Sequence, residues 1–290
     1  MSGSKNKLIA FNYFGGKFTW LDNLYQHFPR HKHFVDVFCG SMVVTLNKER
    51  SLIDTANDIN GDVVNFFKVL REKPDQLIHK LMLTPVSREE YNNAYYSQGL
   101  QVDDVERARM FFVRARQSFY GLGAQRLNKG WHLAKTHTGA KYGETVSKWI
   151  NAIDKLDAII SRLSTIQLEN KHYRDIIRAI DFPEAFFYLD APYPEQIRKS
   201  KNDYKYDFTD DDHVELAYEA NKCTGKVMIS SYECDLMDTL YPKHDWMKVK
   251  FPVKKNNIRS GLVQECIYMN YEPSDYIKPL AIQTKLHLTT

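Results

Sequence analysis

The sequence reads Phe187-Tyr188-Leu189-Asp190-Ala191-Pro192-Tyr193-Pro194 at the point around which the rest of the chain is organised. Its first residues are apolar and aromatic, which is typical of a short buried strand. Pro192 and Pro194 hold the residues before them in extended conformations, so the strand leads into a stiff turn. This turn carries a carboxylate, Asp190, and an aromatic ring, Tyr193. The alternative is an ordinary turn at the end of a strand.

The chemistry of this turn suits a planar amine such as the exocyclic NH2 of a nucleobase. Asp190 can accept one hydrogen of the amine, and the backbone carbonyl of Ala191 can accept the other. The ring of Tyr193 can stack on the base. Turns of this composition serve planar amines in general, so the turn alone does not select one substrate.

The composition is that of a globular protein, since 43% of the 290 residues are hydrophobic and 26% are charged. This length accommodates one large domain or two of ordinary size. The net charge of +4 permits an anionic partner without requiring one. The cysteines lack C-x-x-C spacing, so neither a zinc site nor a disulfide framework is predicted. The sequence has no signal peptide and no apolar run of about 18 residues, which predicts a soluble, cytoplasmic protein.

Two glycine-containing turns precede predicted helices near the N-terminus. In the first, Gly15, Gly16 and Lys17 offer backbone N–H groups and a positive charge to a ligand, with a tight turn before a helix as the alternative. In the second, Cys39-Gly40-Ser41 follows the strand-like run 34–38 and leads into a helix. Strand, turn and helix form the first unit of a parallel α/β sheet, whose ligands bind at the carboxyl ends of the strands.

A second strand is predicted over residues 51–56, and Asp58 follows it closely. In sheets of this type, an acid at that position usually holds a ribose hydroxyl. The alternative role for Asp58 is the N-cap of the helix that contains Val63. Because the first turn lacks the full G-x-G-x-x-G pattern, a dinucleotide ligand is not predicted.

Helical periodicity dominates from Lys73 to Arg162, between two parts that alternate strands and helices. We therefore divide the chain into an α/β domain, residues 1–72 and 163–290, and an inserted helical domain, residues 73–162. Basic, aromatic and Gly-rich stretches in the insert are typical of a nucleic-acid surface, with a solvated helix face and a mobile loop as the alternative. The residues predicted to contact DNA are Arg114, Arg116, Gln125, Arg126 and Lys129.

The last part of the chain predicts the remainder of the sheet. Residues 226–232 form a strand, and residues 246–253 and 264–271 form a closing antiparallel pair. The acidic run from Thr209 to His213 resembles a metal site. However, Thr209 followed by acids is the pattern of a helix N-terminus, and we favour that interpretation.

Four motifs, in this order, resemble those of the Dam-type (D12 class) DNA N6-adenine methyltransferases. Phe14-Gly15-Gly16-Lys17 is similar to the family's Gly-Gly-Lys motif, and Asp36-Val37-Phe38-Cys39-Gly40-Ser41 is similar to its Asp/Glu-x-Phe-x-Gly motif. Asp58-Ile59-Asn60 matches the family's acid after the second strand. Asp190-Ala191-Pro192-Tyr193 is similar to its Asp-Pro-Pro-Tyr motif. The segment 108–122 is similar to the Asn-Gly-Leu region of the family's inserted recognition domain. The likeness spans about Phe11 to Tyr271.

The resemblance implies an α/β fold with a Rossmann-like, mostly parallel sheet, helices on both faces and an inserted, mainly helical target-recognition domain over residues 73–162. It implies an adenine-specific DNA methyltransferase that moves the methyl of S-adenosylmethionine to a flipped-out adenine by direct in-line transfer, without a metal. Double-stranded DNA is the implied partner. The expected state is a monomer, with a weak dimer as the alternative, in the cytoplasm of a bacterial or phage-infected cell.

By the same resemblance, the expected catalytic residues are Asp190, Pro192 and Tyr193. The expected contacts of the methyl donor are Tyr13, Gly15, Lys17, Asp36, Phe38, Gly40, Ser41, Asp58, Tyr173 and Asp190. The sequence departs from the family pattern at Ala191, usually proline, at Met42, usually glycine, and at His172, often aspartate. Ala191 keeps the carbonyl that the chemistry uses. Met42 predicts a less close approach of the backbone to the donor, and Tyr173 could stack on the donor's adenine in place of the aspartate's contact.

Two other kinds of function stay open at the level of the sequence. The departures at Ala191, Met42 and His172 fit a methylase-like protein that binds DNA without activity. Methylation of cytosine N4, RNA adenine or a protein glutamine would use the same kind of turn. The large, basic insert favours DNA, because a glutamine or small-molecule methylase has no need of it.

Overall fold

The computed structural model describes residues 7–13, 15–118, 123, 130–133, 142–197, 206, 208–255 and 262–273. A mostly parallel, seven-stranded sheet organises this part of the chain. The strands of the described part are β1 (His33–Asp36), β2 (Ile53–Asn57), β3 (Ile166–Glu169), β4 (Ala185–Leu189), β5 (Lys226–Tyr232), β6 (Met247–Lys250), β7 (Lys254–Lys255), β8 (Leu262–Val263) and β9 (Glu265–Met269). Strands β7 and β8 form a separate two-stranded ribbon.

The main sheet has the strand order β3-β2-β1-β4-β5-β9-β6. The first five of these strands are mutually parallel, whereas β9 runs antiparallel to both β5 and β6. Chain connections lead outward in opposite directions from β1 and β4, which makes the gap between their carboxyl ends a topological switch point. Open α/β sheets bind their ligands at such a point. The predicted fold class is confirmed.

Helices precede the first strand and connect the later strands along the chain. They are α1 (Leu21–Tyr25), α2 (Val43–Asn47), α3 (Gly61–Glu72), α4 (Pro74–Leu83), α5 (Arg88–Tyr96), α6 (Asp104–Gln117), α7 (Glu144–Ile153), α8 (Leu156–Leu163), α9 (Tyr173–Ile180), α10 (Asp210–Lys222) and α11 (Asp235–Leu240). A 3₁₀ turn spans Glu195–Ile197. Within the described residues, every helix is too short or too polar to cross a membrane.

The side chains of β4 show why this strand is the centre of the sheet. Alternate residues of a strand point to opposite faces, and all five residues of β4 are buried. Phe186 and Tyr188 pack in one hydrophobic cluster with α1 and α2. Phe187 and Leu189 pack in another cluster with α9, α10 and α11. The strand is therefore covered by helices on both faces, and only its carboxyl end is free to approach a ligand.

The segment 73–162 packs against the N-terminal part of the chain. Phe11 lies 5.3 Å from the ring of Phe66 in α3 and 5.1 Å from that of Phe111 in α6, measured between ring centroids. Phe66 stacks in turn on Phe112 of α6 at 5.4 Å. These rings belong to one hydrophobic cluster, which contains residues from both sides of the predicted domain boundary at residue 73. The division into a catalytic domain and an inserted recognition domain stays a prediction about function.

The predicted ends of the sheet elements shift by a few residues. The strand 226–232 is found as predicted. The closing antiparallel pair is confirmed but shorter, at Met247–Lys250 and Glu265–Met269. The second strand begins at Ile53 and ends at Asn57.

Candidate active site

A cleft of about 290 Å³ opens at the carboxyl ends of β1, β2 and β4. The turns that follow these strands and the N-terminal Gly-Gly-Lys turn form its walls. All of the residues expected to act in catalysis or to contact a donor line this cleft: Tyr13, Gly15, Lys17, Asp36, Phe38, Gly40, Ser41, Asp58, Tyr173, Asp190, Pro192 and Tyr193. Segments distant in sequence therefore meet where the strand order predicts a ligand.

Asp190 lies directly after β4, and its two carboxylate oxygens have different surroundings. Oδ1 accepts hydrogen bonds from Lys17 Nζ at 2.6 Å and from the hydroxyl of Ser230 at 2.9 Å. Among the described residues, no hydrogen bond reaches Oδ2, and 18% of the side chain is exposed. Burial raises the pKa of this carboxyl group, and the charge of Lys17 opposes that rise. Asp190 thus has one oxygen fixed by the protein and one available at the cleft.

Lys17 is buried, with 1% of its surface exposed, and its ammonium group points at the catalytic turn. It contacts Asp190 at 2.6 Å and the hydroxyl of Tyr193 at 2.7 Å. It also lies 3.3 Å from Glu265 Oε1 in β9. Burial opposes its charge, but Asp190 and Glu265 outweigh burial, so the pKa of Lys17 is raised well above its usual value. The ammonium group of Lys17, which was expected to contact the methyl donor, is thus paired with Asp190.

Tyr193 is held at both its hydroxyl and its ring. The hydroxyl accepts from Lys17 and lies 3.2 Å from both carboxylate oxygens of Glu265, to which it donates. The ring centroid lies 4.5 Å from that of Tyr232 in β5, and 4% of the residue is exposed. The ring lines the cleft in a fixed orientation, as a residue that stacks on a base requires.

The proline turn itself is fixed by α10. The Nε2 of His213 lies 2.9 Å from the carbonyl oxygen of Pro192, and because a carbonyl only accepts, Nε2 carries the hydrogen. Thr209 caps α10 through a reciprocal capping box with Asp212. The interpretation of this acidic run as a helix N-terminus is confirmed. No metal-binding group of side chains is found among the described residues.

Asp58 joins the ends of β1 and β2. Its Oδ2 accepts from the backbone N–H of Gly40 and its Oδ1 from that of Asn60, both at 2.8 Å. Burial raises its pKa to about 6, and these two hydrogen bonds oppose the rise. The N-cap of α3 is Asn60, whose side chain accepts from Asp62 N, so the interpretation of Asp58 as that cap was wrong.

The turn after β1 shows why glycine stands at position 40. Gly40 has a φ of +48°, and a Cβ there would lie 2.6 Å from Cδ1 of Tyr13, so any side chain would displace that ring. Met42 also adopts a left-handed φ, of +56°, which is rare without glycine. Its side chain is buried in the cluster that contains Leu46 and does not line the cleft. The expectation that the backbone approaches the donor less closely at Met42 stays a prediction.

The remaining walls of the cleft are aromatic and acidic. Phe38 and Tyr173 lie 5.8 Å apart, and Phe208 lies at the same distance from each of them. His172 is the N-cap of α9 and also lines the cleft. Asp36 accepts from the hydroxyl of Thr45 at 2.6 Å, and burial raises its pKa to about 7.

Comparison with known proteins gives the family. Residues 13–254 match the profile of the D12 class N6 adenine-specific DNA methyltransferases. The chain belongs to this family. It therefore methylates the N6 of adenine in DNA, and the alternative of DNA binding without activity is not favoured.

Several characterised relatives resemble this D12 methyltransferase over different lengths. Type II methyltransferase M.MjaIII of Methanocaldococcus jannaschii is 26% identical and the match covers 89% of this chain and 96% of the relative. Type II methyltransferase M1.LlaDCHI of Lactococcus lactis subsp. cremoris is 25% identical, with 89% and 93% covered. A DNA adenine methylase of Vibrio cholerae is 32% identical over 114 residues, which are 37% of this chain and 40% of the relative.

Two of the residues predicted to contact DNA are structural in the D12 methyltransferase. Arg114 is 3% exposed, donates to the carbonyl of Ala94 at 2.9 Å and lies 3.4 Å from Asp62. Arg116 donates to the carbonyl of Ala10 at 2.8 Å, and burial lowers its pKa to about 10. Their guanidinium groups serve internal acceptors, so their assignment to a DNA surface was wrong. Gln125, Arg126 and Lys129 lie outside the described residues.

Sequence reasoning missed three residues that support the cleft: Ser230, Glu265 and His213. Ser230 and Glu265 stand on β5 and β9, far along the chain from the catalytic turn. A signal for Glu265 existed, because it is a charged residue inside the buried strand that ends Cys266-Ile267-Tyr268-Met269. His213 was noted only as part of the acidic run.

Proposed function

We propose that the cleft binds S-adenosylmethionine beside a flipped-out adenine, and that Asp190 directs methyl transfer to the amine of that adenine. The observation that carries this proposal is the asymmetry of the Asp190 carboxylate. Its Oδ1 is held by Lys17 and Ser230, while its Oδ2 is available at the cleft and takes no hydrogen bond from the described residues. A carboxylate fixed in this way is preorganised to accept a hydrogen bond from the substrate amine.

The residues of the cleft fit S-adenosylmethionine. Asp58 offers carboxylate lone pairs at the tip of β2, where folds of this kind hold ribose hydroxyls. The aromatic residues Phe38, Tyr173 and Phe208 offer an apolar wall for an adenine ring. When bound, S-adenosylmethionine supplies an electrophilic methyl group. Tyr13 and Gly40 also line the cleft, and the ring of Tyr13 lies close against Gly40.

Asp190 and the turn after it would make the substrate amine a better nucleophile. The lone pair of the adenine amine is delocalised into the ring. Hydrogen bonds from its two hydrogens to Asp190 Oδ2 and to the carbonyl of Ala191 favour a pyramidal nitrogen with a localised lone pair. The carbonyl of Pro192 already accepts from His213, which leaves the preceding carbonyl for the amine. Positioning and electrostatics then provide most of the rate enhancement.

The adenine must leave the DNA stack to reach this turn. Unstacking and unpairing cost a few kcal/mol, which the enzyme recovers through contacts to the flipped base. Tyr193 is proposed to hold the base, because its ring lines the cleft and its hydroxyl is fixed. Replacement of the usual proline by Ala191 retains the carbonyl, so activity is expected.

The DNA surface is proposed to include the polar stretch that carries Gln125, Arg126 and Lys129. Lysine and arginine that neutralise phosphates contribute a salt-dependent affinity that is the same for all sequences. An arginine that contacts a guanine edge contributes about 1–3 kcal/mol of discrimination at one base pair. We propose the second role for Arg126, and a monomer in the cytoplasm as the state in which the enzyme acts.

Sequencing of plasmid DNA from cells that produce the protein, with a readout of modified bases, tests the proposal. N6-methyladenine in one recurring sequence, absent when Asp190 is replaced by alanine, is the expected result. A second assay uses unmethylated DNA that contains the same sequence and measures its methylation by the purified enzyme with and without added S-adenosylmethionine. Methylation of cytosine, or no methylation in either assay, would contradict the proposed function.

A further inference from the structure

A glutamate contacts the catalytic turn from β9 without lining the cleft. Glu265 is 1% exposed and is not among the described residues that form the cleft wall. Its Oε1 lies 3.3 Å from Lys17 Nζ, and both of its carboxylate oxygens lie 3.2 Å from the hydroxyl of Tyr193. A residue of the closing antiparallel strand therefore reaches the two side chains that surround Asp190.

The directions of the hydrogen bonds place Glu265 at the end of a series of contacts. Lys17 donates to the hydroxyl of Tyr193, so that hydroxyl uses its own hydrogen to reach Glu265. Lys17 donates also to Asp190. The four side chains thus form one network in which the position of each fixes the next.

Burial makes a carboxylate at this place costly unless its partners hold it. A buried charge is tolerated only when it is paired and hydrogen-bonded, and the removal of one partner leaves the other uncompensated. Here two carboxylates, Asp190 and Glu265, share the single ammonium group of Lys17. Asp190 alone would neutralise Lys17, so a purely structural network would not require a second acid.

We propose that Glu265 is a positioning residue for methyl transfer, which holds Lys17 and the hydroxyl of Tyr193 so that Asp190 and the Tyr193 ring keep a fixed arrangement at the cleft. Glu265 acts through these neighbours and touches neither donor nor adenine. The inference rests on the proposed function, because it assigns Asp190 and Tyr193 to the reaction.

The network also predicts a pH dependence. The ionisable side chains around Glu265 include Lys17, Tyr188 of β4, Asp190 and Tyr193 of the turn after β4, Tyr232, its cross-strand neighbour on β5, and Cys266 next to it on β9. Burial raises the pKa of Glu265 to about 7, and the charge of Lys17 opposes the rise. Glu265 is therefore protonated below that pH and ionised above it. Once ionised, it shares Lys17 with Asp190, and Asp190 becomes the stronger hydrogen-bond acceptor.

The test compares Glu265→Gln with the wild type and with a matched control, Glu219→Gln. Glu219 is a buried glutamate on α10 that pairs with Arg178 and does not line the cleft. Single-turnover methyl transfer to DNA is measured over a pH range centred on 7, and S-adenosylmethionine affinity is measured by calorimetry. Tyr193→Phe breaks the same contact from the other side and provides a second variant should Glu265→Gln fold poorly.

Glu265→Gln is expected to slow single-turnover transfer by ~10- to 10²-fold, the scale of a small misplacement of reacting groups, with unchanged donor affinity. The wild-type rate should increase through a pH of about 7. In Glu265→Gln that increase should move to lower pH, where it follows the ionisation of Asp190 alone, because the charge of Glu265 no longer raises the pKa of Asp190. Glu219→Gln should keep the wild-type profile. Tyr193→Phe should also slow transfer without weakening donor binding. The inference is overturned if Glu265→Gln keeps the wild-type rate and pH profile, or loses rate and donor affinity in equal proportion. A wild-type enzyme that does not methylate DNA would instead contradict the proposed function.

Discussion

The ammonium group of Lys17 lies 2.6 Å from a carboxylate oxygen of Asp190, although 173 positions separate the two residues in the chain. This ion pair joins the N-terminal Gly-Gly-Lys turn to the catalytic turn. Lys17 is buried and Asp190 is partly exposed at the cleft, so the lysine orients the carboxylate from within the protein. The two turns therefore act as one unit, and a change in either should alter the other.

Replacement of Lys17 by methionine should move the acid limb of the rate–pH profile to higher pH. Asp190 must be ionised to accept from the amine, and the charge of Lys17 lowers a pKa that burial raises. Without Lys17 the pKa of Asp190 rises further, so more of the enzyme is inactive at neutral pH. Single-turnover rates measured against pH test this, with Lys17→Arg as the control that retains the charge. An unchanged acid limb in Lys17→Met would show that the pair does not govern Asp190.

Replacement of Asp58 by alanine should weaken S-adenosylmethionine binding by ~1.5–3 kcal/mol, the range for a hydrogen bond to a charged group. The proposed contact is between its carboxylate and the ribose. Calorimetry at a temperature where the variant is folded measures the loss, and Asp75→Ala, at an exposed position of α4, is the control. Wild-type affinity in Asp58→Ala would restrict Asp58 to holding Gly40 and Asn60 in place.

Replacement of His213 by phenylalanine should slow methyl transfer about tenfold, which corresponds to about 1.4 kcal/mol of transition-state stabilisation. The variant loses the hydrogen bond that fixes the carbonyl of Pro192, while a ring remains to pack against Phe208. Donor affinity should stay unchanged, because His213 does not line the cleft. His244→Phe, at an exposed position, is the control. Equal rates for His213→Phe and the wild type would show that the proline turn is rigid without α10.

Arg114 and Lys129 should respond oppositely to substitution. Arg114→Met should lower thermal stability, because the carbonyl of Ala94 and the carboxylate of Asp62 lose a buried partner. It should leave the salt dependence of DNA affinity unchanged. Lys129→Ala should keep stability and reduce the slope of log affinity against log salt by ~0.9 if Lys129 neutralises one phosphate. Titrations of DNA at several salt concentrations measure both slopes. A reduced slope in Arg114→Met would show that Arg114 contacts DNA.

Patterns local in the chain made the sheet and the cleft predictable. The continuous run of apolar and aromatic side chains in β4 and the proline turn after it identify the central strand from sequence alone. The Gly40 turn and Asp58 also follow directly from strand–turn–helix spacing. The parts of the site carried by these motifs meet because parallel strands present their carboxyl ends at the same edge.

Contacts that depend on packing were not predictable in the same way. The pairing of Glu265 with Tyr193 requires β9 to insert between β5 and β6, and no local pattern specifies that strand order. The inward direction of Arg114 depends on how α6 packs against α3 and α5, and that of Arg116 on how α6 packs against the N-terminal segment that contains Ala10. Asp58 and Asn60 are both residues that cap helices well, and only the backbone geometry shows that Asn60 is the cap.

Single-turnover methyl transfer by Asp190→Ala, measured together with its affinity for S-adenosylmethionine, tests whether Asp190 directs the reaction. We expect a loss of ~10²-fold or more in the transfer rate, the scale of removing one key transition-state hydrogen bond, with little change in donor affinity. An Asp190→Ala enzyme that methylates DNA at the wild-type rate would show that Asp190 does not act in methyl transfer.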